Sequence, residues 1–118
     1  MKLTITCIEL KGPFKLVAFF AATSRVLKQL KATNFVDFKS KVGWTKHYTM
    51  TLWKTEEDLK KFATSGAHLE VMKESRKIAT EVRTATIEAD EMMDWDGAKL
   101  ILLTKGKVIS FKTIANNG

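Results

Sequence analysis

His47 to Ile78 reads HYTMTLWKTEEDLKKFATSGAHLEVMKESRKI, and its reading decides the fold. Its first part alternates: Tyr48, Met50 and Leu52 fall on one side of an extended chain, and His47, Thr49, Thr51 and Trp53 on the other. Thr55 then stands where a helix N-cap belongs, with Glu56, Glu57 and Asp58 in the first turn, where carboxylates favour the positive end of the helix dipole. Asp58 is spaced to close a capping-box-like loop, and Leu59, Phe62 and Ala63 form the buried stripe. Ser65-Gly66 breaks the helix, and Ala67 to Ala79 continues it with Leu69, Val71, Met72 and Ile78 largely inward. A strand, a capped helix, a break and a second helix follow in that order.

Outward from this unit, Leu3, Ile5 and Cys7 alternate with Thr4 and Thr6, so residues 2 to 10 are a first strand, stopped by Gly12-Pro13. Phe14 to Lys31 carries Leu16, Val17, Phe20, Leu27 and Leu30 at helical spacing. Asn34 to Lys41 alternates again, Val42-Gly43 turns the chain, and Trp44 to Trp53 completes a hairpin. Glu81 to Glu88 is a fourth strand. The order βαββαβ predicts an α+β, ferredoxin-like domain with an antiparallel four-stranded sheet and helices on one side. Beyond it, residues 92–118 form a C-terminal extension with two readings: a helix from Trp95 to Leu103 capped by Asp94, or a hairpin pairing KLILL with VISF across Lys105-Gly106. Asn116, Asn117 and Gly118 read as a frayed end.

A chain of 118 residues, 45% hydrophobic and 28% charged, supports one core and hence one domain over 1–118. Dimerisation would cover leftover apolar surface. The lone cysteine, Cys7, rules out an intrachain disulfide and reads as a buried structural thiol. Glu9 and Lys11 interrupt the N-terminal apolar run, so a cytoplasmic protein without signal peptide or membrane span is expected. The net charge of +7 would attract anions, yet the lysines are spread over every segment, as on a solvated surface. Glu88, Asp90, Glu91, Asp94 and Asp96 lack the spacing of a calcium loop, and no phosphate-binding glycine loop, Cys-x-x-Cys pair or Gly-x-Ser-x-Gly elbow occurs.

TLWKTEEDLKKFATSGAHLEVM resembles the shared signature of the dimeric α+β barrel proteins, a group containing antibiotic-biosynthesis monooxygenases, haem-degrading monooxygenases and spheroidene-monooxygenase-like proteins. Trp53 fits the aromatic end of their third strand, and Ser65, Gly66, Ala67 and His68 fit a Ser-x-x-His step. Thr49, Thr51, Trp53, Gly66, Ala67, His68 and Met72 together resemble an uncharacterised branch near the spheroidene-monooxygenase-like proteins. The resemblance implies a homodimer that binds a small apolar or aromatic molecule, with monooxygenase chemistry, either cofactor-independent or with haem. His68 would be the catalytic residue, and Trp53, Phe62 and Met72 would line the substrate pocket. The haem-degrading members use an Asn on the first strand and a second helical His, which KLTITCIEL and residues 69 to 79 lack. No metal site is expected. Two other classes share the pattern: a non-catalytic dimeric binding protein, and an RNA-binding module of the same βαββαβ order, for which GWTKHYTM lacks the basic-Gly-aromatic run.

Overall fold

A computed structural model describes residues 1–64 and 66–110. Among the described residues the helices and strands follow in the order β1 (Lys2–Leu10), α1 (Leu16–Lys31), β2 (Asp37–Val42), β3 (Lys46–Trp53), α2 (Glu56–Ala63), α3 (Gly66–Ile78), β4 (Ala79–Glu88), α4 (Trp95–Lys105) and β5 (Lys107–Ser110), with a 3-10 turn ahead of α1 at Pro13–Lys15. The strands form a single antiparallel sheet in the order β2-β3-β1-β4-β5. Ser65 and the segment Phe111 to Gly118, with its expected frayed end, lie outside the described residues.

β1 is the central strand, and its alternation gives the sheet two chemically different faces. Leu3 and Ile5 are fully buried on one face, with Met50, Leu52 and Ala85 as neighbours across the strands. On the other face, Thr4 lies between Thr51 and Thr86, and Thr6 between Thr49 and Thr84, which sets two rows of three threonines across the middle of the sheet. Their hydroxyls pair across β1 and β4: Thr4 with Thr86 at 3.3 Å, and Thr6 with Thr84 at 3.3 Å. At one end of this face Trp53 packs with Leu30 of α1 and Phe62 of α2, and at the other His47 meets Phe19 and Phe20 of α1.

The N-cap expected at Thr55 is present, its hydroxyl accepting the backbone N–H of Asp58 at 3.1 Å. Gly66 opens α3 at φ +62°, a left-handed conformation that costs a side-chain-bearing residue about 1 kcal/mol or more. This φ explains the break between the two helical pieces.

The sheet has five strands, not four. After α4, capped as expected by the Asp94 carboxylate on the Gly97 N–H (2.8 Å), the chain turns so closely at Gly106 that a Cβ there would collide with the Leu102 carbonyl oxygen. Gly106 thereby delivers Lys107–Ser110 to the open edge of β4, pairing them with Thr84 to Glu81. Both readings of the tail therefore hold a part: a helix forms, and a strand follows it, but the strand pairs with β4 instead of folding back on the KLILL residues.

Helices also cover both faces, not one. Ala98 and Leu102 of α4 pack onto Leu3, Ile5, Met50, Leu52 and Ala85, forming a core separate from that of Trp53 and Phe62. Leu102→Ala is expected to lower stability by about 2 to 5 kcal/mol, measured by urea unfolding, because it opens a cavity under α4. An unchanged midpoint would mean that α4 is a detachable appendage.

Candidate functional site

The face under α1 to α3 carries an aromatic and imidazole cluster at each end. At the first end, Trp53 (1% exposed) closes β3, its ring centroid 5.3 Å from that of Phe62, which lies 4.9 Å from the ring of His68. Three of the four residues expected in the site thus form a continuous run of rings. Met72, one turn beyond His68 on α3, is 39% exposed and sits toward solvent, not inward; among the described residues of this helix the buried side chain is Ser75.

The half-buried His68 is positioned by two bonds. Its Nδ1 lies 3.2 Å from the Ala63 carbonyl oxygen, which can only accept, so Nδ1 carries the proton and Nε2 keeps its lone pair. Its backbone N–H donates to Gln29 Oε1 at 2.7 Å, while Gln29 Nε2 donates to the Phe62 carbonyl at 3.3 Å. One amide on α1 therefore satisfies the end of α2 and the start of α3, whose backbone groups have no helical partners of their own. Gln29 escaped the sequence reading because nothing local in LKQLK marks a glutamine that will face a helix junction contributed by residues more than thirty positions away.

At the second end, His47 is 3% exposed and neither ring nitrogen has a hydrogen-bond partner. The ring is stacked on Phe19 with centroids 4.4 Å apart at 28°, and Phe20 meets it edge-on at 6.2 Å. Leaving one buried polar group unpaired costs about 1 to 3 kcal/mol, so two such nitrogens on one side chain call for an explanation. Sequence alternation placed His47 on the face of Thr49 and Trp53; it could not show that α1 would bury the ring.

Two clefts open nearby. A groove of about 360 Å³ runs along α1, lined by Phe20, Thr23, Ser24, Leu27, Lys28 and Lys31. A second, of about 250 Å³, opens on the α4 face beside Cys7, Tyr48, Arg83 and Lys99. Cys7 is half-buried there, not buried, and burial pushes its thiol pKa up, which makes it a poor nucleophile. Lys99 Nζ lies 5.1 Å from the centre of the Tyr48 ring. Trp44, 71% exposed ahead of β3, takes no part in either cleft.

Among the described residues, no three His, Cys, Asp or Glu side chains converge as metal ligands, and no helix is long and apolar enough to cross a membrane. Several of the acids outside α2 have structural partners: Glu88 pairs with Lys2 and the N-terminal ammonium, and Asp94 caps α4. The His68 ring lies against Phe62 and borders neither of these two clefts.

No protein-family model and no curated protein matches the sequence. Solved structures do match in fold. SnoaB, a cofactor-independent oxygenase from Streptomyces nogalater, superposes with a TM-score of 0.64 at 10% identity, over 78% of this chain and 95% of its own. A putative antibiotic biosynthesis monooxygenase from Nitrosomonas europaea gives 0.65 at 17% identity, over 77% and 100%. Rv0793 from Mycobacterium tuberculosis gives 0.67 at 9% identity, over 80% and 100%. The chain thus has the ferredoxin-like fold of antibiotic biosynthesis monooxygenase-like proteins, a fold used by oxygenases. The likeness extends to the fold and does not single out the spheroidene-monooxygenase-like branch.

Burial holds both imidazoles below their ordinary pKa of 6.5, opposed at His68 by the bond to Ala63. The folded chain keeps them neutral where the unfolded chain already binds protons, so their contribution to stability is full above about pH 6.5 and is lost as pH falls toward the folded-state values. Urea midpoints are therefore expected to fall between about pH 7.5 and about pH 5, with a shallower slope in the double variant His47→Phe/His68→Gln. An equal slope in the double variant would show that other groups carry the dependence.

Proposed function

We propose that the protein binds a small apolar or aromatic molecule against the helix-covered face of the sheet and oxygenates it without a cofactor. The observation that supports this reading is the run Trp53–Phe62–His68, in which two buried rings lead to an imidazole oriented by the Ala63 carbonyl. Trp53 and Phe62 form the apolar wall, and Met72 stands at its solvent side. His68 acts as the base: its Nε2 takes a proton from a phenolic or enolic substrate, and the anion so formed bonds through carbon to dioxygen, giving a hydroperoxide whose O–O bond breaks with loss of water to leave a carbonyl on the ring. A depressed pKa keeps that nitrogen unprotonated near neutrality.

The test is oxygen uptake with a panel of naphthols and hydroquinones. His68→Ala is expected to lower turnover by about a hundredfold to ten-thousandfold while leaving substrate binding nearly intact. Equal turnover would remove His68 from the chemistry, and saturable binding without oxygen uptake would favour the non-catalytic binding protein. A Soret band lost on His68→Ala would overturn the cofactor-independent reading. RNA binding has less support, because an RNA-recognition sheet needs an open aromatic face, and here both faces carry helices.

The functional unit we propose is a homodimer. Leu100 and Leu103, three residues apart on α4, are 61% and 71% exposed, and a second copy would bury them. Sedimentation equilibrium is expected to give twice the chain mass for the native protein and the single-chain mass for Leu103→Glu. A native monomer would exclude the dimer.

A further inference from the structure

His47 and the α1 groove remain unused by this reading. Trp53 lies six positions beyond His47 on β3, about 20 Å along an extended strand, so the imidazole lies far from the His68 end of the same face. Its neighbours across the sheet are Ile8 and Val42, and the next row of that face carries Ser40, Thr49, Thr6 and Thr84. Thr6, Thr49 and Thr84 are only half-buried although they occupy the central strands, so the helices do not seal this hydroxyl-bearing floor.

Phe20 connects the two features. It meets His47 edge-on, it lines the groove, and it is 48% exposed, so it stands on the border of both, and a site spanning them requires its ring to swing outward. The groove offers Leu27 as an apolar wall, hydroxyls from Thr23 and Ser24, and the ammonium groups of Lys28 and Lys31 at its far end. Helical rise puts Lys28 about 12 Å beyond Phe20, a length that a two-ring aromatic and an extended lysine side chain cover together.

A structural core histidine satisfies at least one ring nitrogen. Here both are free, and a neutral imidazole has one donor and one acceptor to offer. A hydroxyl group, which both donates and accepts, is the complement. We propose that the α1 groove and His47 form a second small-molecule site, which takes a planar aromatic whose hydroxyl bonds to His47 and whose anionic group meets Lys28 and Lys31. This site is separate from that of His68 and stands whether or not the protein is an oxygenase.

Fluorescence titration of the full-length protein with 6-hydroxy-2-naphthoate, 2-naphthoate and 2-naphthol tests it. The native protein is expected to bind the hydroxy acid saturably and to bind 2-naphthoate about three- to tenfold more weakly, the value of one neutral hydrogen bond. In His47→Phe the two acids should bind equally. Lys28→Gln/Lys31→Gln should weaken both acids and spare 2-naphthol, and His68→Ala should change none of the three. A preference for the hydroxy acid that survives His47→Phe, or a native protein that binds none of the probes, overturns the proposal. Should His47→Phe fail to fold, the imidazole ¹⁵N resonances of the native protein decide: shifts at His47 but not His68 on adding the hydroxy acid support the site, and an unmoved His47 rejects it.

Discussion

The hydrogen-bonded centre of the sheet, where β1 lies between β3 and β4, is the constraint on which the rest of the molecule depends. Each strand alternates with a period of two residues, so fixing the register of β1 fixes which residues face which layer. Leu3 opposite Leu52 and Ile87, and Ile5 opposite Met50 and Ala85, leave an apolar face that must be covered. The same register necessarily aligns Thr4 and Thr6 with four further threonines on the reverse. A slip of one residue would bury the hydroxyl rows under α4 and expose the apolar core.

Each face then finds its own solution. The apolar face is closed by α4, whose Ala98 brings the helix close and whose Leu102 fills the gap. The threonine face is closed only at its ends, by Trp53, Leu30 and Phe62 at one and by His47, Phe19 and Phe20 at the other. Between them lie polar side chains that lose little by remaining half-exposed. This division explains why the imidazoles and the α1 groove all gather on one side of the sheet.

The two histidines illustrate what burial does in different company. Desolvation lowers both pKa values, but His68 has a carbonyl that fixes its tautomer, whereas neither ring nitrogen of His47 has a hydrogen-bond partner. An oriented imidazole with a free lone pair suits proton transfer. An unpaired one under a half-exposed phenylalanine suits recognition of a group that can both donate and accept.

Much of the fold was legible in the sequence by itself, because its signals are local: the alternation of Leu3, Ile5 and Cys7, the cap at Thr55, the break at Gly66 and the cap at Asp94 each act within a few residues. Of the candidate site, resemblance named Trp53, Phe62, His68 and Met72, but neither the meeting of the first three rings nor the exposure of Met72 was legible in the sequence. Tertiary structure alone decided the rest: β5 joining the edge of β4, α4 covering the second face, Gln29 bridging the junction of α2 and α3, and the isolation of His47. The physical reason is common to all four. Each depends on a contact between residues distant in sequence, and a pattern with a period of two or of three and a half residues records which way a side chain points without recording what will meet it.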